Sequence, residues 1–491
     1  MGGGTGAGAC IARRAWAGRA SVSYPRGAAE AATHGIDMSA VIDLSPPVVT
    51  PARPALAPLV YGDGARMIAF GGGHAVSRAQ FEAEVRAVAA GLPDARHAVN
   101  LCDDRYRFLV AFCAAASRDQ ITLLPPSRAT AVVGDTLAQH AASYCLADTA
   151  LDPEPPALHR LPAWLPALDG AALAIDDAAC AAIGFTSGST GQPKPNPKTW
   201  AGFRTSTAQN LAALADLLRA PVTPLVATVP PQHMYGMEMS VLLPLLAPFA
   251  VHTARPFFPD DVARALCDAP TPPLLVTTPV HLRALVTAGV ALPPLAGIVS
   301  ATAPLPVELA IEAEARFGCE VRELFGSTET CVIARRRTAV ETAWTPLPGV
   351  LLAPQPDGTA VHAPHLREPI ALADLIELLP DGRFELRGRH ADLLEIAGKR
   401  ASLGDLTRKL LAVPGVIDAV VVQLDAADGA GVRRIAALAV APGLVPEAIL
   451  HALRAQIDPV FLPRRLRCVD ALPRNETGKL PRHAVLALLG R

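Results

Sequence analysis

The chain has 491 residues, and at roughly 100–200 residues per domain it holds more than one folded unit. Hydrophobic residues make up 51% of it and charged residues 18%, which excludes disorder over most of the length and supplies a sizeable core. The 44 Lys+Arg nearly cancel the 45 Asp+Glu, so there is no global electrostatic footprint for nucleic acid or an anionic membrane.

In chain order, the first 37 residues are Gly-, Ala- and Arg-rich, with Glu30 and Asp37 their only acids. An acid-poor leader of this kind has the make-up of a transit peptide. The reading adopted for 1–38 is plain disorder, or a translation start set upstream of Met38. From about Val41 to Arg389 short apolar runs alternate with helical stretches, the pattern of an α/β fold. They predict a strand at 274–279, a helix from His281, a strand entering a turn from Gly297, and a helix ending at Gly318, a suitable C-cap. The longest apolar stretch, 241–251, is interrupted by Pro244 and Pro248 and is too short for a membrane span of ~18–20 residues. Near 388–392 the pattern resets. A helix (403–411), two strands (416–424 and 433–440), a helix (446–456) and a last strand (464–469) then suggest a small, mildly basic α+β lid. The nine cysteines include no CxxC pair and read as reduced thiols of a cytoplasmic protein.

The strongest local signal is AAIGFTSGSTGQPKP, residues 181–195. A β-like run ends at Phe185; Thr186, Ser187, Gly188, Ser189, Thr190 and Gly191 follow, and Lys194 adds charge. Glycines let backbone amides turn inward and hydroxyls add donors, which is the equipment for holding a polyphosphate. The pattern GxxxxGK[ST] is absent, so this is not a Walker loop.

TSGSTGQPK resembles the phosphate loop of the AMP-forming acyl- and aryl-CoA synthetases, a superfamily shared with nonribosomal adenylation domains and luciferases. Four further stretches match in order: VSATAPL (299–305), LFGSTET (324–330), ELRGRHADLLEIAGKR (385–400) and PRNETGKL (473–480). The resemblance runs from about Leu59 to the C-terminus. It implies a large multi-sheet α/β domain over 39–389 and a small mobile α+β lid over 390–491. It also implies a reaction in two halves. A small-molecule carboxylic acid, aryl or fatty, attacks the α-phosphate of ATP to give an acyl-adenylate and pyrophosphate. The thiol of CoA, or of the phosphopantetheine arm of an acyl carrier protein, then displaces AMP. Negative charge gathers on phosphate in the first half, so positioning and electrostatics should carry the catalysis.

Residue roles follow from the same resemblance. Glu329 is expected to hold Mg²⁺, which suits a hard carboxylate, although a carboxylate there would also suit a helix start. Thr328 would hydrogen-bond the α-phosphate. Phe325 takes the aromatic position against adenine, where the family usually has Tyr, and Gly326 is counted with it. Ala301 and Thr302 would line the adenine edge. Asp374, preceded by Leu372-Ala373 in place of Thr-Gly, and Arg389 would hold the ribose. Asp392 marks the hinge, with Ala391 where a first acid is common; Gly398 would flank the pantetheine arm, and Glu395 replaces a usual lysine. Lys479 is the principal catalytic candidate, entering the cleft during adenylation to bridge carboxylate and phosphate oxygens. His233 fits the gate beside the carboxylate site, and Tyr235 and Met237 are read as acyl-pocket wall or core. The run QPKPNPKTW and the IAGKRASL segment look similar to ligases of aryl polyene and related pigment pathways. An alternative from another class is an inactive nucleotide-binding scaffold for a carrier protein. The presence of Lys479, Glu329 and Arg389 argues against it.

Overall fold

Short, fully buried apolar runs make the central strands. Phe249–His252, Leu274–Thr277 and Gly297–Ser300 are buried at every residue, as expected in the middle of a covered parallel sheet. The computed structural model describes Met1 and residues 55–187, 193–389, 393–396, 399–427, 433–475 and 478–490. Every described strand and helix lies within Pro54–Arg491. The expected leader lies, Met1 apart, outside the described residues.

A nine-stranded sheet has six contiguous parallel strands: Val321–Ser327, Gly297–Ser300, Leu274–Thr277, Thr223–Ala227, Phe249–His252 and Met67–Gly71. Cys331–Arg336 and Thr345–Pro346 extend one margin antiparallel, and His74–Ser77 the other. A second sheet runs in the order Pro193–Thr199, Cys180–Ser187, Ile121–Leu124, His97–Asn100, Ser143–Ala147, Leu158–Arg160. It is parallel except for Pro193–Thr199, which returns antiparallel to Cys180–Ser187. Parallel strands gather their C-terminal ends at one edge, the edge where ligands bind in such sheets.

Local chemistry sets the element ends. The strand Leu274–Thr277 stops short of Pro279, because Thr278 accepts from the His281 amide (3.3 Å) and Pro279 takes the first helical position. The helix Val307–Phe317 closes at Gly318, which adopts φ 63 and donates its N–H to the Glu314 carbonyl.

The C-terminal part has its own two-sided core around a sheet in the order Asp418–Ala427, Arg433–Val440, Arg465–Cys468. Side chains alternate along the middle strand. Ala437 and Ala439 join a cluster with Leu406 and Leu453, from the helices Leu403–Leu411 and Pro446–Arg454. Ala436 and Leu438 join another with Val485 and Leu489, from the helix Arg482–Gly490, an element absent from the sequence reading. The helix expected to reach Gln456 ends at Arg454. Among the described residues no helix is long and apolar enough to cross a membrane.

Candidate active site

The C-terminal ends of the parallel strands deliver most of the expected residues. Thr223–Ala227 leads to His233, Gly297–Ser300 to Ala301 and Thr302, and Val321–Ser327 to Thr328 and Glu329. Cys180–Ser187, in the other sheet, leads into the phosphate loop. Buried Arg105 fixes the path towards His233: its Nη2 donates to the Ala227 and Val229 carbonyls (2.9 and 2.8 Å), and its Nη1 to Ser240 Oγ. Thr302 has φ 81, a left-handed conformation unfavourable for a β-branched residue and common at functional sites.

Glu329 lies at the tip of a hairpin, not at a helix start. The turn is pinned by Ser327 N–H to Thr330 Oγ1 (3.1 Å) and Thr330 N–H to Ser327 Oγ (3.2 Å), and Cys331 carries φ 58. Gly326 is obligatory, because a Cβ there would fall 2.1 Å from the Cys331 carbonyl oxygen. Beneath the turn, Lys198 Nζ donates to the Glu329 carbonyl (2.5 Å) and His365 Nε2 to the Thr330 carbonyl (2.6 Å). Glu238 accepts from the Val332 amide (3.1 Å) and from Asn210 Nδ2 (3.0 Å). Lys198 is 9% exposed and Glu238 2%. Burial pushes the Glu238 carboxyl up to about 7, against the pull of the Val332 amide, Asn210 and Lys198. Thr328 touches the phosphate-loop strand: a Cβ on Gly184 would lie 2.8 Å from Thr328 Cγ2.

Among the described residues no group of three or more His, Cys, Asp or Glu forms a metal cage. A single carboxylate beside a phosphate site does suit Mg²⁺, which takes one or two carboxylates and completes its shell with substrate oxygens and water. Glu329, at a hairpin tip beside Thr328, fits that role.

Opposite this turn stands His233. Desolvation, then the charges of Lys479 and Arg255, lower its imidazole to about 4, so it is neutral at physiological pH. Lys479 comes from the C-terminal loop, whose Gly478 (φ 78) is seated on the start of the helix Pro279–Ala288. A Cβ on Gly478 would meet Val280 Cγ2 at 3.3 Å. Gly184, Phe185, His233, Met234 and Thr328 line one small cleft.

Asp374 and Arg389 face each other directly across the hairpin of Asp374–Leu378 and Phe384–Arg389. Phe325 is half-buried and packs on Trp344 and Phe384, with ring centroids 5.4 and 6.1 Å away. Lys194 is exposed and sits opposite Thr186 in the strand register. Tyr235 and Met237 are core residues. The Tyr235 hydroxyl donates to the Val299 carbonyl (3.0 Å), and Met237 has no exposed surface. Gly188, Ser189, Thr190, Gly191, Asp392 and Gly398 lie outside the described residues, and Ser187 and Arg389 are placed by their backbone alone.

Three residues near the site escaped the sequence reading. Arg255 follows the buried strand Phe249–His252, so the strand-end rule could have found it. Lys198 and Glu238 had no local signal, because a charged residue bound for the interior looks like a surface one until the fold closes over it.

The family described as AMP-binding enzyme matches residues 50–357, and the one described as AMP-binding enzyme C-terminal domain matches 408–479. A 4-coumarate–CoA ligase of Rhodobacter capsulatus is 33% identical over 304 residues, 61% of this chain and 74% of that protein. An isonitrile lipopeptide synthase of Streptomyces coeruleorubidus is 35% identical over 117 residues, 23% of this chain and 8% of that protein. In fold, the chain is similar to the anthranilate CoA ligase AuaEII in complex with anthranoyl-AMP. The TM-score is 0.75 at 16% identity, covering 88% of this chain and 98% of that one. It is also similar to ATP-bound MatB from Rhodopseudomonas palustris, with TM-score 0.74 at 19% identity, covering 87% and 96%.

Proposed function

The chain belongs to the AMP-binding enzyme family, and from that premise we propose how its own residues divide the reaction. The protein is an AMP-forming acid–thiol ligase. A carboxylate oxygen bonds to the α-phosphorus of ATP as the bond to pyrophosphate breaks. A thiol sulfur then bonds to the acyl carbon as AMP leaves and the thiol proton passes to solvent.

The observation that carries the division of roles is that Lys479, from the C-terminal loop, stands close enough to His233 for its charge to act on the imidazole. In this reading the ammonium bridges the acid's carboxylate and the α-phosphate while charge develops between them. Thr328 and the phosphate loop, with Lys194 at its exit, hold the phosphates, and Glu329 would hold Mg²⁺, which when bound offsets phosphate charge. Phe325, Gly326, Ala301 and Thr302 frame the adenine, and Asp374 and Arg389 take the ribose hydroxyls. Neutral His233 gates the carboxylate without adding a charge of its own. The boundary at 389/390, the hinge at Asp392 and the thiol channel at Gly398 belong to the same reading.

For the substrate we favour an aryl acid, supported by the 4-coumarate–CoA ligase relative, and for the acceptor CoA or a carrier-protein phosphopantetheine. A cytoplasmic setting fits the eight free cysteines among the described residues. The test is pyrophosphate release from ATP with 4-coumarate, benzoate, anthranilate, octanoate and dodecanoate, followed by thioester formation with CoA or a phosphopantetheinylated carrier. Release with an aryl acid supports the reading. No release with any acid would leave the inactive scaffold standing.

A further inference from the structure

The turn that carries Lys479 is strapped to the small-domain sheet by Arg474. Arg474 grips Asp418 with two bonds, Nε to Oδ2 (2.9 Å) and Nη2 to Oδ1 (2.7 Å), and its remaining Nη1 donates to the Gly478 carbonyl (2.6 Å). Asp418 opens the strand Asp418–Ala427, and Gly478 immediately precedes Lys479. The turn is closed on itself as well: Gly478 N–H donates to the Asn475 carbonyl (2.8 Å), Lys479 N–H to Asn475 Oδ1 (2.9 Å), and Asn475 N–H to the Lys479 carbonyl (2.8 Å).

Lysine places its charge through four torsions, so the ammonium is aimed only as well as its backbone is held. A bidentate arginine–carboxylate pair constrains direction as well as distance. The two side chains remain 21% and 27% exposed, so water still reaches the pair and screens part of what it adds to fold stability. All these partners lie in the small domain, so the arrangement travels with it in any lid orientation.

We infer that Arg474 is a positioning residue for adenylation. It holds the Gly478–Lys479 turn at a fixed offset from the small-domain sheet, so the lid delivers Lys479 as a preset hook. The inference rests on the role given to Lys479 above.

The test uses the full chain and the panel acid with the fastest pyrophosphate release, comparing Arg474→Ala, Arg474→Lys and Asp418→Asn with Lys479→Ala. Arg474→Ala should lower adenylation about 10²-fold, the loss expected of a misplacement near 1 Å. Thioester formation from supplied acyl-adenylate should change less than about threefold. Arg474→Lys should recover little, because one ammonium cannot grip Asp418 bidentately and still reach the Gly478 carbonyl. Asp418→Asn should fall between, and it keeps the question open to experiment should Arg474→Ala fail to fold. Equal loss in both half-reactions, or wild-type adenylation in folded Arg474→Ala, would overturn the inference while leaving Lys479 in place. Wild-type adenylation in Lys479→Ala would instead remove the reading of Lys479, and the purpose of the strap with it.

Discussion

Glu329 and Lys479 sit in two tight turns, and the chain holds them by opposite means. The Glu329 turn rests on the interior: Lys198, His365 and Glu238 each take one backbone group between residues 329 and 332. The Lys479 turn rests on the Arg474–Asp418 strap, whose side chains still touch water. Removing one partner of a buried charged hydrogen bond leaves the other with no water to replace it, whereas a pair that water still reaches is partly resolvated. The first arrangement therefore belongs to the stability of the large domain, and the second sets geometry with less effect on stability. That contrast suits the proposed reading, in which one turn stays in place and the other arrives with the lid.

The largest expected effect separates the two half-reactions. Lys479→Ala should lower adenylate formation by about 10²–10³-fold, the loss typical of removing one donor to developing anionic charge. Thioester formation from supplied acyl-adenylate should persist. Equal losses in the two assays would erase the distinction between a resident turn and a visiting one.

Stability sharpens the comparison next. Lys198→Met should cost about 1.5–3 kcal/mol in urea unfolding, because the Glu329 carbonyl and the neighbouring Glu238 both lose a cation. Asp418→Asn should cost less than Lys198→Met in the same experiment, because water reaches the Arg474–Asp418 pair. Similar costs for the two variants would show that burial is not what distinguishes the turns.

A smaller effect concerns pH. The Glu238 carboxyl is raised to about 7 from the ordinary 4.5, so the folded chain keeps a proton that the unfolded chain has released. This contribution to stability is complete below about pH 4.5 and is lost as pH rises through about 7. Glu238→Gln should remove that slope, worth about 2–3 kcal/mol, and unfolding free energies at pH 5 and 8 would measure it. An unchanged slope would locate the titrating group elsewhere.

The smallest effect reports on lid position. Removing the Lys479 charge should raise the His233 imidazole above about 4, while burial still holds it below the usual histidine range. Titration of the His233 resonance by NMR would follow it. A pKa unmoved in Lys479→Ala would place that lysine away from His233 in solution.

Much of this molecule is legible in its sequence where local chemistry decides. Gly318 ends its helix because only a residue tolerant of φ 63 fits there, and the helix Leu403–Leu411 starts where Ser402 caps it. The strand Arg433–Val440 is where its continuous apolar run, 435–440, puts it. The hairpin turn at Glu329 is not legible in the sequence. Whether Ser-Thr-Glu-Thr turns as a hairpin depends on Gly326 meeting the Cys331 carbonyl and on the return strand Cys331–Arg336.

The sequence by itself determined the α/β class, the motifs and their order, since these rest on residue type, spacing and turn chemistry within a few positions. Only the tertiary structure decided which of them meet: Asp374 opposite Arg389, Thr328 against Gly184, Lys198 beneath Glu329, and Arg474 strapped to Asp418. It also placed Tyr235 and Met237 among the buried core residues, one of the two readings open to them. Burial and contact between distant segments are properties of the closed chain. A lysine carries the same charge in the sequence whether folding leaves it in water or seals it under a turn.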